Sequence, residues 1–184
     1  MLRPLYLFVF WITGWKIQGS IPAHLKKYII AVAPHTSSWD FVIGLMARSI
    51  LKIQHSKFIG KDSLFKPPFG WFFRAVGGYP VDRSGHHDIT DQVAAIFASH
   101  DKFILGLAPE GTRKKVTKLR TGFYYIAKKA RVPIIPCGFD FSRKLIVLAA
   151  PFYPTENLEA DMKVLMGFYR LIKGKNPDLG LGNS

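Results

Sequence analysis

A histidine and an aspartate separated by four residues, His35 and Asp40, are the side chains in this sequence best suited to chemistry. The apolar run before them, Tyr28–Ala33, predicts a strand, so His35 should lie on a strand-end loop and Asp40 in the first turn of the next helix. From there the carboxylate could fix the imidazole tautomer while the ring takes a proton from a hydroxyl. The spacing also occurs by chance, so this predicted His–Asp general base depends on the motifs that follow.

A second block, residues 77–83, combines paired glycines with an arginine after a short predicted strand. The glycines permit a tight turn, and Arg83 could grip a phosphate with two parallel hydrogen bonds. Lys61 ends another short predicted strand and could share the same anion. The alternative is a turn followed by a solvated arginine, with Lys61 simply exposed.

A third block, Glu-Gly-Thr-Arg at residues 110–113, again follows an apolar predicted strand. An α/β sheet collects its ligand sites at the carboxyl ends of its strands. Gly111 would allow close approach of the backbone, while Thr112 and Arg113 offer donors to an anion. Glu110 could orient Arg113, hydrogen-bond an acceptor hydroxyl, or pair with one of the many nearby cations.

A fourth block, Val132–Pro136, has two prolines flanking an apolar pair, which predicts a buried strand with stiff ends. It carries no chemistry of its own. It could form a wall of the substrate pocket or belong to the core.

These motifs lie between strand-like and helix-like patterns that alternate along the chain. Strands are predicted at Tyr28–Ala33, Lys57–Ile59, Gly78–Val81, Lys102–Leu107, Ile134–Phe139 and Lys144–Leu148, and helices at Trp39–Lys52, Pro68–Val76, His86–Ser99, Leu119–Ala130 and Leu158–Ile172. The alternation predicts an α/β fold: a single domain with a central mixed sheet flanked by helices. The domain should span 28–173, and the Gly-, Pro- and Asn-rich residues 174–184 should form a loose tail.

Composition limits the partners. The 184 residues include 26 Lys and Arg against 12 Asp and Glu, a net charge of +14, which favours an anionic partner such as a lipid surface, a phosphate, an acidic protein or nucleic acid. We expect no nucleic acid, because no recognisable binding motif is present and the cations are spread along the chain. The single cysteine, Cys137, excludes an intramolecular disulfide and a Cys-cluster zinc site, and no metal site is predicted.

The N-terminal segment, residues 1–27, contains the most apolar run, Leu5 to Trp15. This run is shorter than the roughly 20 residues needed to cross a bilayer. It could lie in the membrane interface or form a buried core helix.

Taken together, the four blocks resemble the lysophospholipid acyltransferase family, whose bacterial type is 1-acylglycerol-3-phosphate acyltransferase. That family carries His-x4-Asp, a Gly-x-x-Val-Asp-Arg-like block, Glu-Gly-Thr-Arg and a Val-Pro-Ile-Ile-Pro-like block in this order. Here the set runs from His35 to Pro136. Each motif is weak by itself, whereas the ordered set is specific.

The resemblance implies a glycerolipid acyltransferase-like fold and transfer of a fatty acyl group to the hydroxyl of a lyso-phospholipid, 1-acylglycerol-3-phosphate above all, in membrane phospholipid synthesis. The donor would be acyl-CoA or acyl-acyl carrier protein as co-substrate, with no bound cofactor. The implied location is cytoplasmic, peripheral on the anionic inner face of the cell membrane. By resemblance, His35 and Asp40 would be catalytic, and the substrate would be bound by Lys61, Arg83, Glu110, Gly111, Thr112 and Arg113.

Departures from the family pattern leave alternatives open. Pro80 and Cys137 replace residues that are usually aromatic or aliphatic, and neither is a reacting group. The apolar N-terminus is brief where many relatives carry longer anchors. The acceptor could therefore be another lyso-lipid, such as an amino-acid lipid. A non-catalytic basic domain that binds membranes or nucleic acid is the remaining alternative.

Overall fold

The computed structural model describes residues 2–81 and 89–181, in which the strands pair into one mixed sheet. The strands are β1 (Lys16–Gln18), β2 (Lys27–Val32), β3 (Lys57–Lys61), β4 (Gly78–Val81), β5 (Phe103–Leu107), β6 (Ile134–Asp140) and β7 (Leu145–Leu148). The α-helices are α1 (Arg3–Thr13), α2 (Trp39–Ile50), α3 (Gly70–Ala75), α4 (Ile89–Ser99), α5 (Gly122–Ala130) and α6 (Leu158–Arg170), with 3-10 turns at Asp62–Phe65 and Pro177–Leu179.

The strand order across the sheet is β1-β7-β6-β2-β5-β3-β4. β6, β2, β5, β3 and β4 run parallel, whereas β7 is antiparallel to β6 and β1 is parallel to β7. The predicted fold class, a single α/β domain with a mixed sheet, is confirmed. The ends of the six predicted strands differ from the observed ones by at most two residues.

Two hydrophobic cores cover the two faces of the sheet. Successive residues of β2 point to opposite faces, as the period of a strand requires. Ile29 and Ala31 pack with residues of α4, α5 and α6, whereas Tyr28 and Ile30 pack with residues of α1 and α2. The fourth sequence block belongs to these cores, since Val132 and the whole of β6 are buried.

The N-terminal segment joins the domain through α1 and β1. Pro4 lies in the first turn of α1 and Gly14 ends the helix in the left-handed conformation, both favoured positions. Phe10 is buried in the core that α1 shares with α2, and β1 pairs with β7. The sequence did not predict β1, because three residues with two exposed side chains show no strand period.

The opposite side of α1 is apolar and exposed. Its exposed large apolar residues are Leu5, Leu7, Phe8, Trp11 and Ile12, and Leu2, just before the helix, is exposed as well. The helix has 11 residues, which at about 1.5 Å per residue is about half the thickness of a bilayer core. Within the described ranges no helix is long and apolar enough to span a membrane.

Residues 174–181, expected to be part of a loose tail, contact the rest of the domain. Asn176 hydrogen-bonds to Thr36, and Leu181 is buried in the core on the α4–α6 face. Gly, Pro and Asn are typical of loops, but a loop is fixed once its polar groups find partners. Residues 182–184 lie outside the described part of the chain.

Candidate active site

Two of the predicted motifs, the first and the third, meet because their strands are neighbours. β2, β5 and β3 are adjacent and parallel, so their carboxyl ends lie at one edge of the sheet. His35 follows β2, residues 110–113 follow β5, and Lys61 ends β3. This edge is where an α/β sheet places its ligands.

His35 and Asp40 form the predicted pair. Nδ1 of His35 lies 3.0 Å from Oδ2 of Asp40, whose residue is only 3% exposed. The same oxygen accepts the backbone N–H of Ser37 at 2.9 Å, which fixes the carboxylate in the first turn of α2. Because the carboxylate can only accept, Nδ1 carries the proton, and Nε2 presents a lone pair on the open side.

Glu110 supports the loop from the other side. Its Oε2 accepts the backbone N–H of His35 at 2.6 Å, and the residue is 2% exposed. Burial raises the pKa of the Glu110 carboxyl above its usual value, while the hydrogen bond from His35 acts in the opposite direction. Of the three roles offered for Glu110, a direct contact with Arg113 is not seen among the described residues: Oε2 accepts from His35, and Oε1 is buried with no hydrogen-bond partner there.

Arg113 lies at the open mouth of the site. Its Nη1 donates to Oγ of Ser38 at 2.9 Å, and its Nε lies 3.5 Å from Nε2 of His35. The guanidinium is exposed and stands beside the ring nitrogen that would act as the base. A molecule whose anionic group binds to Arg113 would be held within reach of Nε2 of His35.

The residues between Glu110 and Arg113 shape the loop. Gly111 has φ of +66°, a left-handed conformation that favours glycine, and the exposed Arg120 side chain lies against it. Oγ1 of Thr112 accepts the backbone N–H of Lys114 at 3.2 Å, which leaves its O–H available to a ligand.

The second block is described only in part. Gly77 has φ of +96°, as expected for a tight turn before β4. Lys61 ends β3 at the site edge, but its side chain lies outside the described part of the structure. Arg83 falls in 82–88, also outside the described residues.

Sequence reasoning missed three residues around the loop. Ser38 holds Arg113, while Thr36 is buried and hydrogen-bonded to Asn176. Ser38 and Thr36 lie inside the His-x4-Asp motif, which was the available signal for them. Asn176 is 140 residues from Thr36 in the chain, and no local pattern marks it. Among the described residues, no three His, Cys, Asp or Glu side chains gather as metal ligands.

Comparisons with known proteins show the family to which the chain belongs. A family model described as Acyltransferase matches residues 15–140. The 1-acyl-sn-glycerol-3-phosphate acyltransferase of Streptococcus pneumoniae is 30% identical over 134 residues, covering 68% of this chain and 49% of that protein. The chain thus spans about half the length of this curated relative.

A solved structure has the same fold. The 1-acyl-sn-glycerophosphate acyltransferase PlsC from Thermotoga maritima matches 92% of this chain and 76% of its own, with a TM-score of 0.62 and 20% identity. At that identity the likeness concerns the fold alone.

Proposed function

This chain belongs to the acyltransferase family, and on that premise we propose that it moves a fatty acyl group from a thioester to the hydroxyl of a lyso-phospholipid, with 1-acylglycerol-3-phosphate as the acceptor. The observation that carries the proposal is the His35–Asp40 pair with the Arg113 guanidinium beside its open nitrogen. A base and an anion-binding group at one sheet edge suit an acceptor with a hydroxyl and a phosphate.

The proposed reaction is a single transfer. Nε2 of His35 takes the proton of the acceptor hydroxyl as its oxygen attacks the thioester carbonyl carbon. The C–O ester bond forms, the C–S bond breaks, and the imidazolium returns its proton to the leaving thiolate. Asp40 stabilises the positive charge on the ring between these steps. His35 activates the acceptor directly, so the scheme includes no acyl-enzyme and requires no bound cofactor.

The acceptor phosphate is assigned to Arg113, together with Lys61 or Arg83. Arg113 is exposed and can present a planar pair of donors to phosphate oxygens. The name of the Streptococcus pneumoniae relative supports a phosphate-bearing acceptor. The donor, acyl-CoA or acyl-acyl carrier protein, is also an anion that the net charge of +14 would attract.

Replacing Arg113 with alanine should lower kcat/KM for a phosphate-bearing acceptor by about 10- to 100-fold, because a charge-assisted hydrogen bond contributes about 1.5–3 kcal/mol. The loss should appear mainly in the acceptor KM, and Arg113→Lys should lose less. The matched control is Arg131→Ala. It removes the same charge just before the first residue of β6, at the end of the sheet opposite to the site. An equal loss with a phosphate-free acceptor would contradict the phosphate role.

We place the protein on an anionic membrane surface, the cytoplasmic face of the cell membrane, through the exposed side of α1. Trp11 is 77% exposed there among other apolar side chains. A helix with one buried and one apolar exposed side can insert into the headgroup region. Docking of this kind would bring the lipid acceptor to the enzyme.

Trp11→Ala should weaken binding to vesicles containing phosphatidylglycerol by about tenfold. Burial of one large apolar side chain contributes about 1.5–3 kcal/mol, and the lower value corresponds to this loss of affinity. Trp71→Ala is the matched control, because Trp71 is 72% exposed and lies on a different helix, α3. Cosedimentation measures both. A loss with Trp71→Ala and none with Trp11→Ala would move the membrane contact to α3.

The substrates are identified by thiol release from an acyl-CoA and an acyl-acyl carrier protein, each offered with a panel of lyso-lipids. Product on phosphate-bearing acceptors supports the proposal. Product only on a phosphate-free or amino-acid lipid would keep the chemistry of His35 and overturn the role of Arg113. No transfer with either donor would favour the non-catalytic membrane-binding alternative.

A further inference from the structure

The C-terminal strap, residues 174–181, contacts the catalytic loop on both sides of His35. Oγ1 of Thr36 accepts the backbone N–H of Asn176 at 3.1 Å, and the carbonyl oxygen of Thr36 accepts from Nδ2 of Asn176 at 2.9 Å. Thr36 is buried and directly follows His35 in the chain. One asparagine therefore fixes both the side chain and the main chain of the residue next to the base.

Packing tightens the same contact. A Cβ on Gly174 would lie 2.7 Å from Oγ1 of Thr36 and 3.2 Å from Pro34, so the strap backbone lies directly against the residues that flank His35. Further along, Leu181 is buried in the core and holds the other end of the strap. The strap thus runs from the catalytic loop into the body of the domain.

A third contact reaches the residue before Asp40. Nζ of Lys175 lies 4.6 Å from the ring centroid of Trp39, a cation–π arrangement on exposed side chains. The strap therefore meets Pro34, Thr36 and Trp39, and the catalytic pair lies between these contacts.

From these contacts we infer that Asn176 is a positioning residue for the reaction assigned above, on which the inference rests. The loop is held by Glu110 at the backbone N–H of His35 and by Asn176 at the backbone carbonyl of Thr36. Asn176→Ala would remove the side-chain hydrogen bond that holds the Thr36 carbonyl, while the Glu110 hydrogen bond and the Asp40 contacts remain. Small displacements of a catalytic group lower the rate steeply, because a misplacement of about 1 Å can cost about 10²-fold.

Asn176→Ala removes the side-chain N–H that donates to the Thr36 carbonyl. The backbone N–H of residue 176 can still donate to Oγ1 of Thr36. We expect kcat to fall about tenfold, with both substrate KM values changed less than about twofold, since orientation rather than binding is lost. The matched control is Asn157→Ala, which removes the cap of α6 at the Ala160 N–H. That change should cost about 1 kcal/mol of stability and leave kcat unchanged.

Proton NMR gives a readout independent of turnover. The Nδ1 proton of His35, hydrogen-bonded to Asp40, should give a downfield resonance that His35→Ala abolishes. In Asn176→Ala this resonance should broaden or move upfield, and in Asn157→Ala it should not. An unchanged resonance and an unchanged kcat in Asn176→Ala would overturn the inference. If the wild type transfers no acyl group, the proposed function fails, while the resonance still tests whether Asn176 orders the loop.

Discussion

Replacing His35 with alanine should lower kcat by about 10²- to 10⁴-fold, the usual contribution of a general base. Nε2 is the ring nitrogen on the open side, beside Arg113, and it is the one placed to take the proton of the acceptor hydroxyl, because Nδ1 is committed to Asp40. The fold should survive, since His35 is partly exposed and its backbone N–H still reaches Glu110. Turnover is measured by thiol release, and folding by circular dichroism.

The control for this variant is His100→Ala. His100 is an exposed histidine just after α4, at the end of the sheet where β5 begins. Its loss should leave turnover unchanged. Wild-type turnover in His35→Ala would rule out the general-base mechanism.

The second large effect is expected from Asp40→Asn, which should lower kcat by about 10²-fold or more through loss of the charge that stabilises the imidazolium. The asparagine Oδ1 can still accept from Ser37 and from Nδ1 of His35, so the ring should keep its orientation. The acceptor KM should change little. A higher acceptor KM with an unchanged kcat would contradict this role.

Asp40→Asn also weakens two hydrogen bonds of a buried carboxylate, because the backbone N–H of Ser37 and Nδ1 of His35 would then donate to a neutral amide oxygen. This should cost about 1–3 kcal/mol of stability. Asp161→Asn is the control, since Asp161 is also buried and accepts from Tyr124 and Thr155. Both variants should be destabilised, and only Asp40→Asn should lose kcat.

The central sheet and the position of the His35–Asp40 pair could be predicted from the sequence. Apolar runs such as Tyr28–Ala33 are buried on both faces of a parallel sheet, which makes them easy to find. The motifs follow strands, and parallel strands end at one edge, so the meeting of His35 with residues 110–113 follows from topology.

The role of Glu110 could not be predicted, because the decisive partner is a backbone N–H. Sequence patterns show side-chain types, and Glu110 stands beside several basic residues that offered more obvious partners. Its burial against the His35 amide depends on how closely the loops after β2 and β5 approach each other. That approach is a tertiary property.

The C-terminal strap was unpredictable for a related reason. Its composition is typical of a loose loop, and the contact of Asn176 with Thr36 spans 140 residues. β1 was missed because Lys16–Gln18 is short and mostly exposed, and it forms only where β7 offers a partner. Both elements depend on long-range pairing rather than on a local period.

The most direct test is to incubate the purified wild-type chain with an acyl thioester and either 1-acylglycerol-3-phosphate or the matching phosphate-free monoacylglycerol, and to identify the lipid products by mass spectrometry. We predict a diacylated product from the phosphate-bearing acceptor, at a rate at least about tenfold above that with the phosphate-free one, as expected for a charge-assisted phosphate contact. No diacylated product from either acceptor, with both acyl-CoA and acyl-acyl carrier protein as donors, would contradict the account.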